Sequence, residues 1–262
     1  MTYKLNARHL ILDLLYASKN STLSIKRILT AAELLGISDN GIRVAVARLN
    51  QENVIQAVER GVYQLLEKKF DTSFISLNKH PDMQTATTWN GKYVLVYTGT
   101  LGRVDRTALS KREKALRYYG FQELEQNVFI RADNLTLNLS PLKKAVIQFG
   151  LDPDARFFQV SQLESETEVR DLWDIEELHQ TYHAVQHDIN DWFENYQNLT
   201  LAEAAKSAFY LGKSALFSLR ADPLLPAEWI DTDARQQFEL AVRKIEKQGQ
   251  LLWQHYFKDQ GV

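Results

Sequence analysis

The groups best suited to recognition chemistry in this chain stand together in the stretch SDNGIRVAVARLNQENVI, residues 38–55. Arg43 and Arg48 are permanent cations whose forked donors match guanine edges and phosphate oxygens. Asn40 can pair with adenine or with phosphate. Ala47 keeps the surface between them from colliding with bases. Ile42, Ala45, Val46 and Leu49 recur at helical spacing on the other side, so the polar groups share one face of a short helix, with Asp39 and Asn50 beside them. Ser38 suits its N-cap. Arg60 follows in VIQAVERGVYQLL, two strand-like runs joined at Glu59-Arg60-Gly61. That pattern predicts a hairpin with Arg60 at its tip, placed for a minor groove or a phosphate. A helix of this kind is equally at home as a plain solvated surface, and a winged helix can also contact protein. The short turn before the helix, the hairpin after it and the local charge favour duplex DNA.

Two further clusters carry chemistry. Arg103, Arg106, Lys111, Arg112, Lys114 and Arg117 fall within fifteen residues. They suit DNA phosphate or a phosphorylated effector such as a coenzyme A thioester, with Arg103, Arg106, Arg112 and Arg117 as the candidate effector-binding set. His179, His183 and His187 stand at i, i+4 and i+8. Adjacent turns of a helix can hold a metal between imidazoles, but this stripe drifts off the apolar face and lacks an HExxH pattern, so the expectation is surface histidines and no metal. No Gly-rich phosphate loop, GxSxG or specifying pair of carboxylates occurs, so no catalytic residue and no cofactor is assigned and an enzyme is not expected. The enzymatic alternative is a nuclease-type ferredoxin-like domain. It needs metal-binding carboxylates at strand ends, and the strand KYVLVYTG has no Asp.

Elements must position these groups. The charge is uneven. Residues 1–70 carry ten Lys/Arg against six Asp/Glu, residues 89–160 eleven against seven, and residues 161–262 nine against eighteen, within a net charge of −2. Two basic sections therefore precede an acidic one, which suits a polyanion at the front of the molecule. The absence of cysteine excludes disulfides, thiolate metal sites and cysteine nucleophiles. No apolar run reaches the ~18 residues of a membrane span, and a cytoplasmic protein is expected. Apolar spacing predicts helices over Ala7–Ala17 and from the cap Ser24 to Gly36, before the helix from Ser38. Helix, helix, short turn, helix and hairpin is the order of a winged helix-turn-helix. Residues 89–163 read β-α-β-β-α-β, a ferredoxin-like layer. Beyond them come three long amphipathic helices, over 174–196, over 201–219 and from the cap Thr232, with Asp222-Pro223 and Pro226 forcing a bend before the last. The expected class is α+β, divided as 1–66 winged helix-turn-helix, 67–88 linker, 89–163 ferredoxin-like and 164–262 helical.

Three stretches together resemble the PaaX-type repressors of phenylacetic-acid degradation: ARHLILDLL…LLGISDNGIRVAVARLNQENVI, WNGKYVLV…REKALRYYGFQELEQNVFIRADN, and DPLLPAEWIDTDAR. Their order and spacing span nearly the whole chain. The resemblance implies a GntR-like winged helix, a ferredoxin-like middle domain and a helical C-terminal domain. It further implies a homodimer on double-stranded DNA that represses a catabolic operon, with phenylacetyl-coenzyme A as the effector that releases it. By the same resemblance Asn40, Arg43 and Arg48 fall on the recognition helix and Arg60 on the wing. The run GKSALFSLRADP before the last stretch departs from the family, with Lys213 and Ser214 where an acid and a histidine are common.

Overall fold

A computed structural model describes residues 5–66, 85–99, 101–102, 104–164 and 166–262. It is a mixed α+β structure in two compact units. The first takes Met1–Pro81, Ile189–Leu216 and Val242–Val262; the second takes Asp82–Asp188 and Phe217–Ala241.

In the first unit, α1 (Ala7–Ala17), β1 (Thr22–Ser24), α2 (Ile25–Leu34), α3 (Asp39–Gln51), β2 (Ile55–Glu59) and β3 (Val62–Leu65) follow in order. Side-chain caps start the helices: Ser24 Oγ accepts from the Arg27 amide and Ser38 Oγ from the Gly41 amide. Between α2 and α3 the chain turns at Gly36, whose φ of +74° suits a residue without Cβ. There the Ile37 amide reaches back to the Ala32 carbonyl at 2.8 Å and the Gly36 amide to Glu33 at 3.1 Å, closing the end of α2. Leu10, Ile11, Leu15, Ile28, Ala31, Ala32, Ile42 and Leu49 form the buried core beneath the three helices. The strand β1 was not expected from the sequence. At three residues it is too short to show a period, and it forms because β3 offers it a partner; the three strands run antiparallel in the order β1-β3-β2.

The second unit is built on β4 (Tyr93–Tyr97), α4 (Arg106–Tyr118), β5 (Gln122–Glu125), β6 (Val128–Ala132), α5 (Leu139–Phe149) and β7 (Arg156–Val160). The four strands make one antiparallel sheet in the order β5-β6-β4-β7. Alternation assigns its two faces. Val94, Val96 and Phe129 pack with Ala115, Leu116, Leu142 and Val146 of α4 and α5. Tyr93, Ile130 and Ala132 pack on the other side with Val169, Trp173, Leu225 and Trp229. Trp89, which opens this region, stands edge-on to both Tyr93 and Trp229, at 5.3 and 5.2 Å between ring centroids.

One charged side chain occupies the helix-facing side of the sheet. Arg131 is 2% exposed. Its guanidinium donates to the carbonyls of Ala132 and Tyr119 and to Asn134 Oδ1, and it lies over the Phe121 ring. Burial lowers its pKa to about 9, against the pull of Asp133 and Asp222. Asn134 passes the connection on, donating to the Leu224 carbonyl at 2.9 Å. Leu224 sits at φ +54°, an uncommon conformation for a residue with a side chain. The Asp222 carboxylate holds it there by accepting from the Leu224 amide at 2.8 Å, and its second oxygen accepts from Arg235 Nε at 2.6 Å. Tyr182 lies against this pair, its phenol pKa raised first by burial and then by the Asp222 charge.

The remaining helices are α6 (Glu166–Arg170), α7 (Ile175–Asn195), α8 (Leu201–Ala221) and α9 (Thr232–Asp259). The separate helical domain expected over 164–262 is not a unit of its own. The unit boundary falls within each of α7, α8 and α9, because each helix supplies apolar residues to both cores. Ala204, Ala205 and Ala208 are buried in the first unit, where Gly249 approaches Ala208; Tyr182 stacks on Phe238 in the second. Asp231, rather than Thr232, caps α9, its carboxylate accepting from the amides of Asp233 and Ala234. Of the linker expected over 67–88, residues 67–84 lie outside the described residues. Within the rest, Ala86 bridges to Leu135 and the Thr87 amide donates to Asn134.

Two outcomes test the junction around Arg131. Gly120 has φ +73°, and a Cβ there would run into the Pro223 carbonyl; Gly120→Ala therefore costs about 2–4 kcal/mol, read from urea unfolding. Above pH ~10 an unfolded Tyr182 ionises while the folded one keeps its proton. The folded state then binds more protons and stability falls as pH rises. Tyr182→Phe makes that alkaline loss shallower in melts between pH 8 and 11.

Candidate nucleic-acid interface

Short-range packing sets the roll of α3. Ile42, Val46 and Leu49 are buried against the first two helices, which turns Asn40, Arg43, Ala47, Arg48 and Asn50 outward; all five are exposed. The expected face is therefore present as one surface. Ser38 is exposed at its start and serves as the cap. Arg43 and Arg48 make no ion pair with any described residue, whereas Arg8 of α1 is tied to Glu52, just past the end of α3, at 2.6 Å. The exposed face thus keeps its donors available while a neighbouring cation braces the helix end.

The same face holds two residues that the polar pattern does not single out. Val44 is 42% exposed between Arg43 and Arg48, and Gln51 is exposed in the last turn. An apolar side chain at such a position suits a thymine methyl, and Gln suits adenine. The signal in the sequence is that Val44 is the one large apolar residue of α3 out of phase with Ile42, Val46 and Leu49.

Arg60 is exposed at the turn between β2 and β3, beside Gly61 at φ +75°. The Ile25 amide donates to the Gly61 carbonyl at 2.7 Å, tying the hairpin turn to the start of α2. A register shift between Ala57 and Glu59 leaves Val58 45% exposed next to the tip. Lys26 and Arg27, at the start of α2, donate to the carbonyls of Gly261 and Val262, and Arg27 lies over Phe257. Lys213 pairs with Asp13 of α1 and lies over the Phe209 ring.

Of the four arginines expected to hold an effector, the three that are described are not brought together. Arg103 lies outside the described residues. Arg112 is 3% exposed, with Nε on Asp152 at 2.9 Å; it faces inward because it follows Leu109 by three residues and precedes Leu116 by four, on the apolar side of α4. Arg106 and Arg117 are exposed near opposite ends of that helix. Together with Thr107, Ser110, Lys111 and Lys114, Arg106 lines or adjoins an open groove along α4.

His179, His183 and His187 follow one side of α7, and they do not form a ligand set with one another. His179 Nε2 accepts from the Asp231 amide at 3.0 Å, while His183 and His187 are exposed. Among the described residues no group of three His, Cys, Asp or Glu side chains is arranged to hold a metal ion, and no helix is long and apolar enough to cross a membrane.

No family model and no curated protein matches this chain. Its fold is similar to that of a solved structure described as an uncharacterized protein, Rv0674, from Mycobacterium tuberculosis. The TM-score is 0.59 at 18% sequence identity, over 95% of this chain and 99% of that one, which is a likeness of fold.

Proposed function

We propose that this chain is a sequence-specific, DNA-binding transcriptional repressor of the PaaX type, without enzymatic activity. In this reading residues 1–66 are a winged helix-turn-helix whose recognition helix is α3 and whose wing is the β2–β3 hairpin. Residues 89–163 are a ferredoxin-like domain, and α7–α9 are its helical C-terminal part. The observation that carries the reading is the outward face of α3, where Asn40, Arg43, Val44, Ala47 and Arg48 stand exposed on a helix narrow enough for a major groove, with neither arginine in an ion pair with a described residue. The strand order β1-β3-β2 behind that helix supports a winged helix. The order β5-β6-β4-β7 supports a ferredoxin-like sheet.

The repressor acts in the cytoplasm as a homodimer on an operator whose half-sites lie one or more helical turns apart. It controls a catabolic operon. An acyl-coenzyme A thioester, phenylacetyl-coenzyme A by family resemblance, releases it by favouring a conformation that no longer fits both half-sites.

The operator is obtained by selecting bound duplexes from a random pool. On the selected site Arg43→Ala weakens binding by about 1–3 kcal/mol and relaxes the preference at one base position, read by gel shift; unaltered affinity and preference would remove α3 from the groove. Phenylacetyl-coenzyme A added to the complex frees the duplex, and failure of a panel of acyl-coenzyme A thioesters to do so removes the effector from the reading. Duplex DNA incubated with the protein and Mg²⁺ stays intact, whereas cleavage would favour a nuclease.

A further inference from the structure

We infer that the exposed face of α4 is a second DNA-contact surface, one that grips the phosphate backbone without reading bases. The inference rests on the proposal that the chain binds DNA, and it assigns the α4 cations to the polyanion rather than to a small effector.

Arg106, Lys111, Lys114 and Arg117 are exposed on α4, and none makes an ion pair with a described residue. In the same unit Lys92, Lys144 and Arg156 are also exposed, each standing singly, whereas Arg112 is engaged by Asp152, Arg235 by Asp222, Arg170 by the Trp229 carbonyl and Lys143 by the Ala155 carbonyl. The difference has a cause. Leu109, Arg112, Leu116 and Tyr119 follow one side of the helix, and the bond from buried Arg112 to the half-exposed Asp152 locks that side inward. The other four cations are thereby held outward. Glu113, the one acidic residue within α4, is only half-exposed. Lys111 precedes Lys114 by three residues and Lys114 precedes Arg117 by three, so the stripe repels itself, a cost of a few tenths of a kcal/mol per pair that a polyanion removes.

Shape chooses between ligands. A small-molecule site is concave and buries most of its ligand. The groove here is lined by Arg106, Thr107, Ser110, Lys111 and Lys114, all from one helix, with no second wall among the described residues. It is a ridge of donors. From Arg106 to Arg117 the stripe runs about 16 Å at ~1.5 Å per residue, which is roughly five base steps of a duplex at ~3.4 Å each. Ser110 and Thr107 add hydroxyl donors between the charges.

The test uses the full chain and a fluorescent 30-base-pair duplex of arbitrary sequence, with anisotropy measured from low to high salt. The triple variant Arg106→Gln, Lys114→Gln, Arg117→Gln should bind about ten- to a hundredfold more weakly at 0.1 M salt. The slope of log affinity against log salt should fall by about two to three, near 0.9 per lost phosphate contact. Arg106→Lys with Arg117→Lys should keep the slope, because a backbone contact needs charge rather than a fork. Lys206→Gln, Lys247→Gln, Lys258→Gln changes the net charge equally at exposed sites elsewhere and should keep the slope too. An equal loss in that control, or an unchanged slope in the α4 triple variant, overturns the inference. If the α4 variant keeps its slope while Arg43→Ala relaxes the preference on the selected operator, the repressor reading stands and this surface falls. If the α4 variant loses binding while Arg43→Ala changes nothing, the surface stands and the role of α3 falls. Wild-type protein that retains no duplex at low salt overturns both.

Discussion

One of two buried arginines, Arg131, organises the second unit. Arg131 sits on a central strand, on the side that packs against helices, where an apolar residue is the ordinary choice. Its charge is tolerated because its donors are met by the Ala132 and Tyr119 carbonyls and by Asn134, and because Asp222 and Asp133 stand near enough to oppose the cost of burial. The Tyr119 carbonyl stands at the C-cap of α4, where the helix dipole favours a cation. Arg131 therefore fixes where α4 ends. Through Asn134 it also holds the Leu224 carbonyl, and so the Asp222–Pro226 bend that leads into α9. Remove the guanidinium and three elements lose a common anchor.

Two ion pairs then determine which cations the molecule offers. Arg112 with Asp152 turns one side of α4 inward, and Arg8 with Glu52 braces the end of α3. Both paired cations are structural, Arg8 from α1 and Arg112 within α4, while Arg43, Arg48, Arg106 and Arg117 stay exposed without an ion pair to any described residue. The exposed Arg8–Glu52 pair contributes little stability by itself, whereas the Arg112 guanidinium is desolvated and depends on its partner.

Much of the first unit was legible because its signals are local. Caps at Ser24 and Ser38, a glycine at position 36 and a period of three to four on α3 are each set within a turn or two of backbone. The hairpin at Glu59-Arg60-Gly61 was legible for the same reason. The period also placed Asn40, Arg43, Ala47 and Arg48 on one exposed face. It passed over Val44, because an apolar residue on a polar face breaks the pattern being counted, and over β1, because three residues carry no period. In the second unit the strand and helix order was legible, and so was the basic density of α4. The inward turn of Arg112 was not, since charge density along a sequence does not say which member of a cluster will find a carboxylate forty residues away.

By itself the sequence determined most of the elements, though neither β1 nor α6, together with the basic character of the front two sections and the polar face of α3. These follow from backbone propensity, capping and periodicity, which act over a few residues. Tertiary structure decided the rest: the strand orders, the buried place of Arg131, the sorting of the α4 arginines into one structural and several exposed, and the division of α7, α8 and α9 between two cores in place of a domain of their own. Each of those outcomes depends on which distant surfaces meet, and a long amphipathic helix carries an apolar stripe that reads the same whether one core or two will bury it.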